Sequence, residues 1–167
     1  MDNNDIVIRV RYALDIKDTD MVEIFELGGV EVTKEEIQKI LTKSPDSYEE
    51  ELYSDQIKVN NVMLDSFFNG FIVFKRGKQD PKPGQPDTPA APVKKSGNMN
   101  NTLLKKLKIA LQLTSEEMLD IFEKAGLTIT KGELSAFLRK EGHKNYKECL
   151  DKYARNFLKG LAIHYRG

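Results

Sequence analysis

Residues 21–36, MVEIFELGGVEVTKEE, are written a second time at residues 118–133 as MLDIFEKAGLTITKGE. A shift of 97 positions superimposes Met21, Ile24, Phe25, Gly29, Thr33, Lys34 and Glu36 on Met118, Ile121, Phe122, Gly126, Thr130, Lys131 and Glu133. The same register runs through residues 3–43, so a duplicated unit organises the chain. In each copy the stretch reads as the end of one helix and the start of the next. Met, Ile and Phe at helical spacing stop at a glycine able to take the left-handed conformation. A threonine then caps a new helix with the glutamate three residues on, as Thr33 with Glu36 and Thr130 with Glu133.

Outward from this stretch the apolar spacing remains helical. A first helix carries Ile6, Val7, Val10, Ala13 and Leu14, matched by Leu103, Leu104, Leu107, Ala110 and Leu111. The second opens near Asp18 in one copy and at a Thr114–Glu117 capping box in the other, and the third presents Ile37, Ile40 and Leu41 against Leu134, Phe137 and Leu138. The fourth is the most apolar. In the second copy Tyr146, Cys149, Leu150, Tyr153, Ala154, Phe157, Leu158, Leu161, Ala162 and Tyr165 repeat with helical spacing, and in the first Val62, Met63, Phe67, Phe68, Phe71, Ile72, Val73 and Phe74 do so.

The fold expected is all-α, with two tandem four-helix repeats in a pseudo-twofold arrangement. Residues 1–77 form the first repeat, 78–97 a linker and 98–167 the second. The linker holds five of the six prolines. Each repeat is near the lower size limit for a self-sufficient core, so each should gain from packing on the other or on a second copy. Gly70 and Gly160 occupy equivalent positions within the fourth helices, where glycine costs about 1 kcal/mol against alanine. A close backbone approach would offset that cost, and the two fourth helices are expected to cross there. The alternative is two independent beads on a proline-rich string. Between helices three and four the offset slips from 97 to 90 (Gly160 minus Gly70), leaving seven extra residues around Lys43 to Tyr53.

Net charge is zero over 167 residues, but the halves differ. Residues 1–77 hold 9 Lys+Arg against 16 Asp+Glu, a balance of −7, and residues 98–167 hold 13 against 8, a balance of +5. The basic copy is the candidate for an anionic partner. An acidic start and no apolar run approaching the roughly 20 residues of a membrane span predict neither a secretory signal nor a membrane association. One cysteine, Cys149, excludes an intrachain disulfide, and a cytoplasmic location is expected.

Four strings carry a family resemblance: NNDI at residues 3–6, FKRGK at 74–78, LLKKLKIAL at 103–111 and ELSAFLRKEGHKNYKEC at 133–149. Together they resemble the YehS-like family of uncharacterised bacterial proteins, which carries the same unit twice across a proline-rich linker. The resemblance implies a tandem-repeat domain of unknown function and supplies no catalytic residues.

The densest polar cluster is the turn from Arg139 and Lys140 through His143, Lys144 and Asn145 to Lys147. Its charge and its imidazole and amide groups suit an anion, such as a phosphate seated at a helix amino terminus. Lys152, Arg155 and Lys159 continue the cluster along the last helix, where the first copy has Val62, Asp65 and Asn69. Lys105, Lys106 and Lys108 add a basic edge. The competing reading of the turn and the ridge is an ordinary solvated surface. Helices two and three also invite a helix-turn-helix reading, although their connection is long and the acidic copy shares it. Against catalysis, His143 and His164 lack spaced Cys or His partners, Cys149 lies on an apolar stripe, and neither a phosphate loop nor a serine elbow is present.

The reading that follows is a non-enzymatic binding protein without a cofactor or metal. Its second repeat is expected to bind RNA, DNA or another polyanion through Arg139, Lys140, His143, Lys144, Asn145, Lys147, Lys152, Arg155 and Lys159. The alternative is a protein-interaction adaptor or homodimer in which acidic and basic repeats attract each other or a partner.

Overall fold

The computed structural model describes residues 1–42, 55–77, 99–140 and 142–166. Among these residues lie eight helices and no strand: α1 (Asn3–Leu14), α2 (Asp18–Leu27), α3 (Lys34–Ile40), α4 (Asn61–Arg76), α5 (Asn100–Leu111), α6 (Ser115–Lys124), α7 (Lys131–Leu138) and α8 (Asp151–Arg166). The all-α tandem architecture is as the repeat implies. The linker at 78–97 and the extra residues around Lys43 to Tyr53 lie outside the described residues.

Local signals account for most helix ends. Thr33 and Glu36 form a reciprocal capping box, as do Thr114 and Glu117. At Thr130 only half of the expected box forms: its hydroxyl accepts from the Glu133 amide at 3.1 Å. Past α2 and α6 the chain turns through Gly29 and Gly126 at φ +94° and +87°, conformations that favour glycine. Asp18 begins α2 without capping it. Its carboxylate instead takes Arg11 at 2.9 Å and also the Gln38 amide.

The fourth helix of the second repeat starts later than its apolar spacing suggests. Residues 146–150 are not helical, and α8 begins at Asp151. The backbone there is claimed by Asn101, whose Nδ2 donates to the carbonyls of Phe137 and Lys147, each at 2.9 Å. Its Oδ1 accepts from the Cys149 amide at 2.8 Å. Cys149 is fully buried on this lead-in, whereas Leu150 is exposed.

Within each repeat the fourth helix lies on the second. Phe25 meets Phe67 with ring centroids 5.1 Å apart, and their counterparts Phe122 and Phe157 meet at 5.2 Å. Gly70 and Gly160 make this contact possible: a Cβ at Gly70 would stand 1.8 Å from the Ile24 carbonyl oxygen, and one at Gly160 1.9 Å from that of Ile121. The glycines therefore admit α2 and α6, their own repeat's second helices, and the expected crossing of the fourth helices at these points does not occur. A gap in a side-chain surface accepts whichever backbone packing brings to it.

The repeats pack on each other by exchange of partners. The first helix of each lies on the fourth of the other, α1 on α8 and α5 on α4. The buried side chains of both repeats form one core, which replaces the picture of independent beads.

Candidate nucleic-acid interface

Two elements carry the candidate residues of the basic turn and ridge. The first is the segment after α7. Arg139, Lys140, His143, Lys144, Asn145 and Lys147 are all exposed on it. The turn is closed by its own backbone, with the His143 amide donating to the Lys140 carbonyl at 3.0 Å and the Tyr146 amide to the His143 carbonyl at 2.9 Å. The His143 ring belongs to the turn as well: its Nδ1 accepts from the Asn145 amide at 3.0 Å. The Lys147 amide donates to the Ala136 carbonyl at 3.1 Å, tying the far end of the turn back to α7.

The second element is α8. Lys152, Arg155 and Lys159 are exposed, and their i, i+3, i+7 spacing puts them on one face. Aromatic rings join the two elements. Lys147 Nζ lies 5.8 Å from the Phe137 ring centroid, Phe137 and Tyr153 have centroids 5.1 Å apart, and Lys152 Nζ lies 6.0 Å from the Tyr153 centroid. Lys147 of the turn and Lys152 of the helix thus belong to one surface.

Two expectations change. The helix amino terminus is not a phosphate seat, because α8 begins at Asp151 and that carboxylate occupies the position. It accepts from Asn100 Nδ2 at 2.9 Å and from the Met1 amino group at 3.0 Å. The hydrogen bond from Asn100, followed by that from the terminal amine, holds its carboxyl below the usual range. The basic edge on α5 is partly spent within the fold: Lys106 Nζ donates to Asn69 Oδ1 at 2.6 Å and lies 3.9 Å from Asp65 Oδ1. On the helices of the helix-turn-helix reading, Lys131 of α7 pairs with Glu116 of α6 at 2.8 Å.

Asn4 and Asn101 matter to the site and went unread in the sequence. A polar residue next to an apolar stripe passes for the solvent side of a helix. The available signal was their recurrence at the 97-residue offset. Asn101 anchors the basic turn to α5 at both ends, and Asn4 does the same for the first repeat, donating to the Ile40 and Ile57 carbonyls at 3.0 and 2.8 Å.

The remaining chemistry-bearing groups lie elsewhere. Burial, helped by the nearby carboxylates of Asp151 and Glu148, pushes the Cys149 thiol up to about 12. His164 Nδ1 stands 2.7 Å from Lys124 Nζ. Among the described residues no three His, Cys, Asp or Glu side chains are grouped to hold a metal, and no helix is long and apolar enough to cross a membrane. A cavity of about 400 Å³ in the first repeat is lined by Glu26, Glu31, Val32, Thr33 and Glu36, a setting that repels anions.

Fold and surface together define a two-repeat helical protein, its repeats interlocked through their first and fourth helices, with a basic face on the second. The chain belongs to the family described as Protein of unknown function (DUF1456), whose model matches residues 3–77 and again 100–167. It is 38% identical over 160 residues to the Uncharacterized protein YehS of Escherichia coli (strain K12), an alignment covering 96% of this chain and 94% of that protein. No solved structure matches it.

Proposed function

We propose that this chain is a non-enzymatic cytoplasmic protein that binds nucleic acid through the basic face of its second repeat. One observation carries the reading: Lys152, Arg155 and Lys159 line one exposed face of α8 and continue through Tyr153 and Phe137 to Lys147. None of these four cations forms an ion pair among the described residues. Aligned cations suit the regular charge of a phosphate backbone, and the half-buried Tyr153 ring offers a nearby apolar surface. The contact would be sequence-tolerant, since it reads charge and not base edges.

Fluorescence anisotropy with labelled mixed-sequence RNA and DNA at about 100 mM salt tests this, using the wild type and a Lys152→Glu, Arg155→Glu, Lys159→Glu triple variant. Binding by the wild type that the variant loses supports the reading, and its absence from the wild type contradicts it. The second reading, an adaptor or homodimer, draws on exposed apolar side chains at Leu150, Ile163 and Tyr165 on or beside α8. A mass by light scattering that rises with concentration would favour it.

A further inference from the structure

The exchange of partners gives the molecule two seams between repeats, α4 with α5 and α1 with α8. In the α4–α5 seam Asp65, Asn69 and Lys106 close on one another. Lys106 Nζ reaches Asn69 Oδ1 at 2.6 Å and Asp65 Oδ1 at 3.9 Å, while Asn69 Nδ2 donates to Asp65 Oδ2 at 3.1 Å. The side chains of Lys106 and Asp65 are only 20% and 12% exposed.

The offsets of 90 and 97 carry Asp65, Asn69 and Lys106 onto Arg155, Lys159 and Arg9 in the α1–α8 seam. Contacts at both ends fix the register of that seam. The Met1 amino group meets Asp151 at 3.0 Å, and Arg166 Nη1 donates to the Tyr12 carbonyl at 3.0 Å. Arg9 lies one turn before Tyr12, and Arg155 and Lys159 lie between Asp151 and Arg166. Where one seam holds a carboxylate, an amide and an ammonium, the other holds three cations. All three are exposed, and none of their side chains makes a hydrogen bond or ion pair among the described residues. Asp151, one turn before Arg155, is the carboxylate that feels it, and Asp151 is already held by Asn100 and the Met1 amine.

We propose that a phosphate of the nucleic-acid backbone sits in this seam, bridging Arg9 of the first repeat to Arg155 and Lys159 of the second. The anion takes the part that the Asp65 carboxylate plays in the other seam. The proposal rests on the nucleic-acid reading above and adds that the site is built from both repeats. Guanidinium groups on two helices match the bidentate geometry of phosphate oxygens.

Anisotropy titrations with the same oligonucleotides, on the full chain carrying Arg9→Glu, Arg155→Glu or Lys34→Glu, test the seam. Arg9→Glu and Arg155→Glu should each weaken binding about fivefold or more at about 100 mM salt and flatten the salt dependence by about one phosphate contact. Lys34→Glu makes the same change in net charge outside the seam and should stay within about twofold, as expected for a residue making no phosphate contact. Arg9→Glu places a carboxylate opposite Arg155, so its melting temperature should not fall below that of the wild type, which separates lost binding from lost folding. If Arg9→Glu binds like the wild type while Arg155→Glu is weakened, the seam is overturned and the nucleic-acid reading stands. Equal weakening by Lys34→Glu and Arg9→Glu also overturns the seam, because net charge then explains the loss. If the wild type binds no oligonucleotide, both proposals fall.

Discussion

Asn4 and Asn101, 97 positions apart, make the same three hydrogen bonds, each pinning the end of its repeat's third helix and the lead-in to its fourth. Both are nearly fully buried, at 3% and 7% exposure. Their partners are all backbone groups, and an unpaired buried polar group costs about 1–3 kcal/mol. The two asparagines thus do for the loops what the apolar stripes do for the helices.

Asn101→Ala should therefore destabilise the protein by about 2–4 kcal/mol, read as a lower urea midpoint at unchanged slope. Faster hydrogen exchange at the Cys149 amide should accompany the loss, since that amide donates to Asn101 Oδ1. A change under about 1 kcal/mol would mean that the loop finds other partners.

Two glycines should respond to alanine with opposite signs. At Gly160 the new Cβ would stand 1.9 Å from the Ile121 carbonyl oxygen, so α6 and α8 must separate. A loss of about 2 kcal/mol or more is expected, well beyond the helix propensity gained. At Gly132 the nearest atom to a new Cβ is Thr130 Oγ1 at 3.8 Å, and alanine should stabilise by about 0.5–1 kcal/mol. Thermal melts of the two variants check both signs.

The glycines also mark where the sequence stops being legible. Residues such as Phe25, Thr33 and Gly29 declare helices, caps and stops because those signals act within one or two turns of chain. Gly70 and Gly160 declare that some backbone comes close, but not that the backbone is α2 or α6. Tyr146, Cys149 and Tyr153 keep helical spacing although the helix starts only at Asp151, since what holds residues 147–149 out of the helix is Asn101, far away in sequence. The basic residues were legible as a list. The fate of the basic edge on α5 was not: Lys106 lies in the α4–α5 seam with Asp65 because the first helix of the second repeat packs on the fourth of the first.

Cys149 gives a pH signature. Its thiol is held up to about 12 against an ordinary value of 9.0, chiefly by burial. The folded state therefore keeps its proton where the unfolded state has released it. The resulting stability is fully present below pH 9 and is lost as pH rises toward 12. Cys149→Ala, compared with the wild type by urea titration, should show a stability difference that narrows across that window, and alkylation of the native thiol at neutral pH should be slow until denaturant is added. Fast native alkylation would contradict the burial that produces the shift.

The exposed row of Lys152, Arg155 and Lys159 is where the second repeat departs most from the first, and the functional claim rests on it. The most direct measurement is the slope of log affinity against log salt for RNA and DNA, in the wild type and in the triple charge reversal at these positions. Each phosphate contact contributes about 0.7–0.9 to that slope, so the variant's should be shallower by about 2. An unchanged slope, or a wild type without salt-dependent binding, would contradict the account.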